Sequence, residues 1–221
     1  MPIIQGWAGN QLLTVHPSGS FMKGTANKSG TDIDLFISLS EQTAETLKQI
    51  HDKLFDRMKD TGYAPTRQNV SINVRVNGYS VDLVPGKRQN SYGDDHSLYR
   101  RKADTWTKTN VVTHINHVAR SGRLRECRVI KLWRNQKKLD FPSFYLELTV
   151  INALSQQYAG AISGNVRTIF EYLRDRFQTA RVVDPTNTNN IISDDLSAAD
   201  KAKIKAAADQ ALKATWNQVI V

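Results

Sequence analysis

Residues 69–86 read NVSINVRVNGYSVDLVPG. Ile72, Val74 and Val76 alternate with polar residues, Asn77-Gly78 interrupts, and Val81 and Leu83 resume the alternation. An Asn-Gly pair between two alternating runs is the strongest short-range signal for a two-residue hairpin, because both residues tolerate positive φ. The stretch commits the first half of the chain to an antiparallel pair with one apolar face. It also puts Asp82 on the face opposite Val81 and Leu83. Pro85-Gly86 is expected to stop the return strand.

A second strand signal lies upstream. Residues 32–39, DIDLFISL, place Ile33, Leu35, Ile37 and Leu39 on one face and Asp32, Asp34 and Phe36 on the other. A helix is expected at about 41–60, with Leu47, Ile50, Leu54 and Met58 at helical spacing, Ser38 or Ser40 as N-cap, and Gly62 beyond its end. Residues 1–17 are mixed and are expected to end in a short helix or strand. Residues 87–109 are polar, with room for one more strand or hairpin.

From Asn110 the pattern turns helical. Asn110 caps VVTHINHVARSG, and RLRECRVIKLWRNQKK follows, with Leu124, Cys127, Ile130 and Leu132 or Trp133 inward. SFYLELTVINALSQQ is nearly apolar all round and reads as a buried helix. GNVRTIFEYLRDRF is another helix, DPTNTNNIISDDLS a loop, and the Ala-rich end a closing helix. The expected boundary lies near 108–112, giving lobes 1–110 and 111–221.

Two aspartates on one strand face lie about 6.5–7 Å apart along the backbone. Like charges that close resist burial unless a cation neutralises them. Hard oxygen donors at this spacing suit Mg²⁺ or Mn²⁺. With Asp82 from the other strand system, three carboxylates could hold two ions about 3.5–4 Å apart, the arrangement for in-line displacement at phosphorus. The preceding turn, SGSFMKGT, fits a phosphate: Gly19 and Ser20 allow a tight backbone with N–H groups outward. A helix begun at about Phe21 would add its N-terminal dipole, Lys23 a donor, and Gly24-Thr25 a second close approach. The chain carries a net charge of +9, which points to polyanionic partners and does not separate nucleotides from nucleic acid.

GSFMKGT, then DIDLF, then VDLVPG resembles the active-site signature of the DNA-polymerase-β-like nucleotidyltransferases. Within them it is similar to the branch of oligoadenylate synthases, cyclic GMP-AMP synthase, bacterial second-messenger synthases of anti-phage systems, and archaeal CCA-adding enzymes. RVIKLWRNQKKLDFPSFYLELTVINAL and DPTNTNNI resemble the helical segment and loop of that branch. The resemblance implies an α/β (α+β) fold: a palm-like lobe with a mixed β-sheet, then an all-helical lobe closing a nucleotide cleft. It implies Asp32, Asp34 and Asp82 as catalytic metal ligands for two Mg²⁺ (or Mn²⁺) ions, with Asp82 as base or orienting group for a sugar hydroxyl. It assigns Gly19 and Ser20 to phosphate, Lys131 to the triphosphate, and Ser143 with Phe144 to phosphate contact and base stacking, Tyr145 being adjacent. Phe144 stands where the branch has tyrosine, so a hydroxyl contact is lost. The branch also carries a long helix before the Gly-Ser turn. Only 18 residues precede Gly19, so the expectation is a minimal or truncated form, or the Ala-rich helix in the bracing role.

The expected activity joins NTPs, ATP among them, into a cyclic or short linear oligonucleotide messenger. Nucleotide addition to an RNA 3′ end, such as tRNA, and a silent nucleotide-binding relative are the alternatives. An activator protein is open. Arg100, Arg101 and Lys102 line either an acceptor groove or a solvated surface. His96, His114, His117 and Cys127 show no paired-cysteine spacing and read as incidental rather than as a zinc site. The single cysteine excludes an internal disulfide, no apolar run could span a bilayer, and no signal pattern opens the chain, so a cytoplasmic location is expected.

Overall fold

The computed structural model describes residues 2–28, 32–157 and 160–219. The chain divides into two compact units, residues 1–23 with 28–115, and residues 24–27 with 116–221.

The first unit is built on a seven-stranded mixed sheet. Its elements are α1 (Pro2–Ala8), β1 (Leu12–Pro17), α2 (Gly19–Lys23), β2 (Ile33–Leu39), α3 (Leu47–Asp60), β3 (Thr66–Arg67), β4 (Ile72–Val76), β5 (Tyr79–Arg88), β6 (His96–Arg100) and β7 (Thr105–Thr109). The path runs β1-β2-β5-β4-β3, and the β6–β7 hairpin joins the far end of β5. Among the described strands only β2 and β5 pair in parallel. The expected hairpin is present, with Asn77 at φ 50° and Gly78 at φ 85°. Ile37, Leu39, Ile72, Val74, Val81 and Leu83 form one sheet face and pack with Ile50, Leu54 and Met58 of α3.

Two local expectations are corrected. β5 does not stop at Pro85-Gly86 but runs to Arg88. Pro85 falls after the last β4 pair (Ile72 with Leu83) and before the first β6 pair (Lys87 with Ser97), where β5 has one neighbour and tolerates a missing N–H. Gly86 is a seat rather than a stop: a β-carbon there would lie 2.6 Å from the ring of buried Phe36. The N-cap of α3 is neither Ser38 nor Ser40. Thr46 accepts from the Gln49 backbone while the Gln49 side chain accepts from Thr46 N–H, a full capping box. Ser38 instead lies 2.7 Å from His96 Nε2 in the buried far end of β2.

The second unit contains α5 (Leu124–Gln136), α6 (Ser143–Ala153), α7 (Ile162–Asp175), α8 (Ala198–Lys213) and α9 (Trp216–Val219). A helix α4 (Val111–Ala119), capped by the Asn110 side chain, spans the division between the units. The core gathers Cys127, Ile130, Trp133, Leu146, Ile169 and Phe170, so Trp133 rather than Leu132 is the inward residue of α5. The expected loop at 184–197 is instead a hairpin, β8 (Val183–Asp184) with β9 (Asn187–Ile191), leading into a 3₁₀ turn. The unit is therefore not all-helical. Buried Asp184 shapes the hairpin, accepting from Thr186 N–H at 2.8 Å and from Asn190 at 3.1 Å.

Candidate active site

The parallel pairing of β2 and β5 sets Asp34 directly beside Asp82. Adjacent strands lie about 4.8 Å apart, so the two carboxylates share one sheet face at close range. Asp32 lies just before β2 and is exposed. Burial, then the neighbouring Asp82 charge, push the Asp34 carboxyl up to about 6; Lys23 pulls the other way and Asp32 adds to the rise. Burial also raises Asp82, against a hydrogen bond from Asn73, and the Asp32 charge raises it further. This face is short of positive charge.

The small-residue turn closes over the same carboxylates. Gly19 has φ 59°, and a β-carbon there would fall inside the Asp34 carboxylate. Only glycine meets both demands. Ser18 N–H donates to the Asp34 carbonyl at 2.8 Å, and the Ser20 backbone donates to the Asp34 carboxylate. α2 begins at Gly19 itself rather than at Phe21. Lys23, at its end, is buried with its charge acting on Asp34. Gly19, Ser20, Lys23, Asp34 and Asp82 are thus gathered on one unit, with Asp32 coupled to both aspartates. Among the described residues, no three His, Cys, Asp or Glu side chains form a ready metal cage.

Two side chains missed in the sequence complete this face. Asn73 donates to Asp82 Oδ1 at 2.7 Å and to Ser80 Oγ at 2.7 Å. Gln68 Nε2 donates to the same Asp82 oxygen at 3.1 Å.

In the second unit the candidates contact other side chains of the same unit. Lys131 is buried and its ammonium lies 2.6 Å from Glu147 Oε1 and 2.8 Å from Thr25 Oγ1. Thr25, wholly buried, donates its hydroxyl to Glu147. Thr25 and Lys131 therefore hold each other through a carboxylate that the sequence did not single out. Asn27 donates to the Arg128 carbonyl at 3.1 Å, so residues 24–27 are tied to α5 at two points. Ser143 is exposed and accepts from Arg134 at 3.0 Å, another side chain not anticipated. Phe144 is half-buried against the helical core. Tyr145 has no exposed surface; its ring packs on Phe141 and Phe177, each with centroids 5.3 Å away. It offers no face to a base. The histidines and Cys127 also lie apart in role: His96 pairs with Ser38, and Cys127 is buried in the helical core.

No family model matches the chain. The cyclic AMP-AMP-AMP synthase of Escherichia coli (strain MS 115-1) is 25% identical over 152 residues, a match covering 62% of this chain and 47% of that relative. The chain thus spans about half the length of the curated relative that it matches. Among solved structures, E. coli MS115-1 CdnC with ATP superposes with a TM-score of 0.78 at 22% identity, covering 96% of this chain and 80% of that one. The same synthase in complex with HORMA-ΔN gives 0.78 at 21% identity over the same shares. Vibrio cholerae DncV cyclic AMP-GMP synthase, with the linear intermediate pppA(3′,5′)pG, gives 0.68 at 16% identity over 93% of this chain and 65% of that one. The fold is that of the polymerase-β-like nucleotidyltransferases, as the resemblance of the sequence motifs implied.

Proposed function

We propose that the chain is a metal-dependent, template-independent nucleotidyltransferase that joins NTPs into a cyclic or short linear oligonucleotide messenger and releases pyrophosphate. The observation that carries this reading is the Asp34–Asp82 pair lying under the Gly19 turn. The synthase relatives support it, including the one whose structure holds ATP and the one holding a linear intermediate.

The donor set fits a hard divalent cation. Asp34 and Asp82, with Asp32 beside them, supply only carboxylate oxygens in a face short of positive charge. Mg²⁺ keeps several waters and takes substrate phosphate oxygens, so one or two protein carboxylates per ion suffice and a complete protein cage is not needed. When bound, two such ions, Mg²⁺ or Mn²⁺, compensate charge on the α-phosphate and on departing pyrophosphate.

The chain's own residues do the rest. The missing β-carbon at Gly19 lets the Asp34 carboxylate lie against the turn, so a phosphate taken by the Gly19-Ser20 turn sits close to Asp34. Lys23 adds positive charge beside it. A ribose hydroxyl oxygen bonds to the α-phosphorus as the bond to pyrophosphate breaks, and its proton passes to a carboxylate or to water. Asp82 holds the attacking group in place. Ser143, oriented by Arg134, and Phe144 are the helical unit's candidates for nucleotide contact. Thr25 and Lys131 support the backbone that follows Lys23 instead of meeting phosphate themselves. A partner protein, by analogy with the HORMA protein bound to E. coli CdnC, and a role in anti-phage signalling in the cytoplasm belong to the same proposal.

The test is incubation with four labelled NTPs and Mg²⁺ or Mn²⁺, with and without tRNA, resolved by chromatography and mass spectrometry. Asp34→Asn protein runs alongside. Phosphatase-resistant oligonucleotides made without RNA, and lost in the variant, are the expected result. Label on tRNA alone would replace the reading with RNA 3′-end addition. NTP binding with no product, with or without an added partner, would leave a silent relative.

A further inference from the structure

The environment of Asp82 differs on its two oxygens. Oδ1 accepts from Asn73 at 2.7 Å and from Gln68 at 3.1 Å. Among the described residues, Oδ2 accepts no hydrogen bond. Both donors are themselves oriented. Asn73 is the direct cross-strand partner of Asp82, and its amide also bonds Ser80 on β5. Gln68 Oε1 accepts from buried Ser71 at 2.9 Å, which fixes which end of the amide faces Asp82. The 68–71 turn is closed by Gln68 N–H on the Ser71 carbonyl and held by Arg101, whose Nε donates to the Gln68 carbonyl at 3.1 Å. Two side-chain amides thus converge on one oxygen of one carboxylate, and Ser71 and Arg101 hold one of those two in place. A merely satisfied surface aspartate needs none of this.

We infer that Asn73 and Gln68 are positioning residues that hold Oδ1 of Asp82 and so aim Oδ2 at a divalent cation. This deepens the proposed function and rests on its reading of Asp82 as a cation ligand. A carboxylate oriented by fixed donors presents one oxygen in one direction, and loss of such outer partners typically weakens metal binding about 10–100-fold.

The experiment measures Mn²⁺ binding to the whole chain, without nucleotide, by the electron paramagnetic resonance signal of free Mn²⁺. Asn73→Leu and Gln68→Met keep side-chain size and remove the donors. Each is expected to weaken Mn²⁺ binding about tenfold, with thermal unfolding close to wild type. In an Asp82→Asn background the same substitutions should weaken it no further, since they act through Asp82. A purely structural role would not produce that non-additivity. If both folded variants bind Mn²⁺ within twofold of wild type, or if their effects persist undiminished without Asp82, the inference fails. Should Gln68→Met alone fold, it decides the matter alone. Failure of the proposed function reads differently: Mn²⁺ binding would still depend on Asp82, Asn73 and Gln68, while no NTP product formed. No dependence of Mn²⁺ binding on Asp82 would overturn both.

Discussion

Replacing Glu147 by alanine removes the carboxylate that faces the Lys131 ammonium in the protein interior. The two side chains are 5% and 0% exposed and lie 2.6 Å apart. Removing one partner of a buried pair typically costs about 3–5 kcal/mol, because the other charge is left without compensation. Thr25 softens this only in part, since its hydroxyl is neutral. For a chain of this size, such a loss lowers the melting temperature by roughly 6–20 °C, at about 2–4 °C per kcal/mol. The cost comes from removing one partner alone rather than from the pair itself. Lys131→Met with Glu147→Leu, which removes both charges and keeps volume, is expected to recover most of the stability. Thermal and urea unfolding of the four proteins would check this. If Glu147→Ala loses less than about 1 kcal/mol, the range of an exposed pair, or if the double variant is no better than the single one, the burial of this pair is wrong.

Gly19→Ala should abolish product formation while the helical unit's unfolding stays unchanged, because its β-carbon would displace the Asp34 carboxylate; near-normal turnover would remove the turn from the site. Tyr145→Phe is expected to leave stability within about 0.5 kcal/mol or raise it, since its buried hydroxyl finds no hydrogen-bond partner among the described residues; a large loss in a urea titration would reveal a partner. Burial, as the largest cause, holds His51 below its usual pKa of 6.5. The unfolded chain therefore takes up its proton first on acidification, and the His51 contribution to stability is lost as pH falls from about 6.5 toward the folded value. His51→Leu should flatten the decline in urea midpoint between pH 7 and 5; an unchanged slope would refute this.

The palm-like unit was legible because its strands alternate and its turn is explicit. Asp34 and Asp82 could each be read as facing away from the core, but their adjacency comes from the parallel register of β2 and β5, which nothing local in the sequence displays. Asn73 was legible in principle. A two-residue turn at Asn77-Gly78 pairs Val76 with Tyr79, and counting back three more steps reaches Asn73 opposite Asp82. Gln68 was not, because its amide is aimed by a turn whose shape depends on Ser71 and Arg101. The Thr46–Gln49 capping box was written in the local spacing, but Ser38 and Ser40 competed as caps until the strand claimed Ser38. The contacts of Lys131 with Glu147 and Thr25 were not legible, because a buried cation is recognised only through its distant partners. The β8–β9 hairpin carries no apolar alternation, and its polar side chains bond one another locally, so it read as loop.

The branched sheet leaves three strands, β1, β3 and β7, with a single described neighbour each. An open strand edge is a template on which another chain can add by backbone pairing. Each edge here is a poor one. β3 is two residues long and carries Arg67. β1 is irregular between Leu12 and Thr14 and ends on Pro17. β7 is five residues long with Lys108 in it. With +9 charges repelling like copies, these blunt margins let a wide sheet stay clear of edge-to-edge aggregation at the concentrations used to assay it.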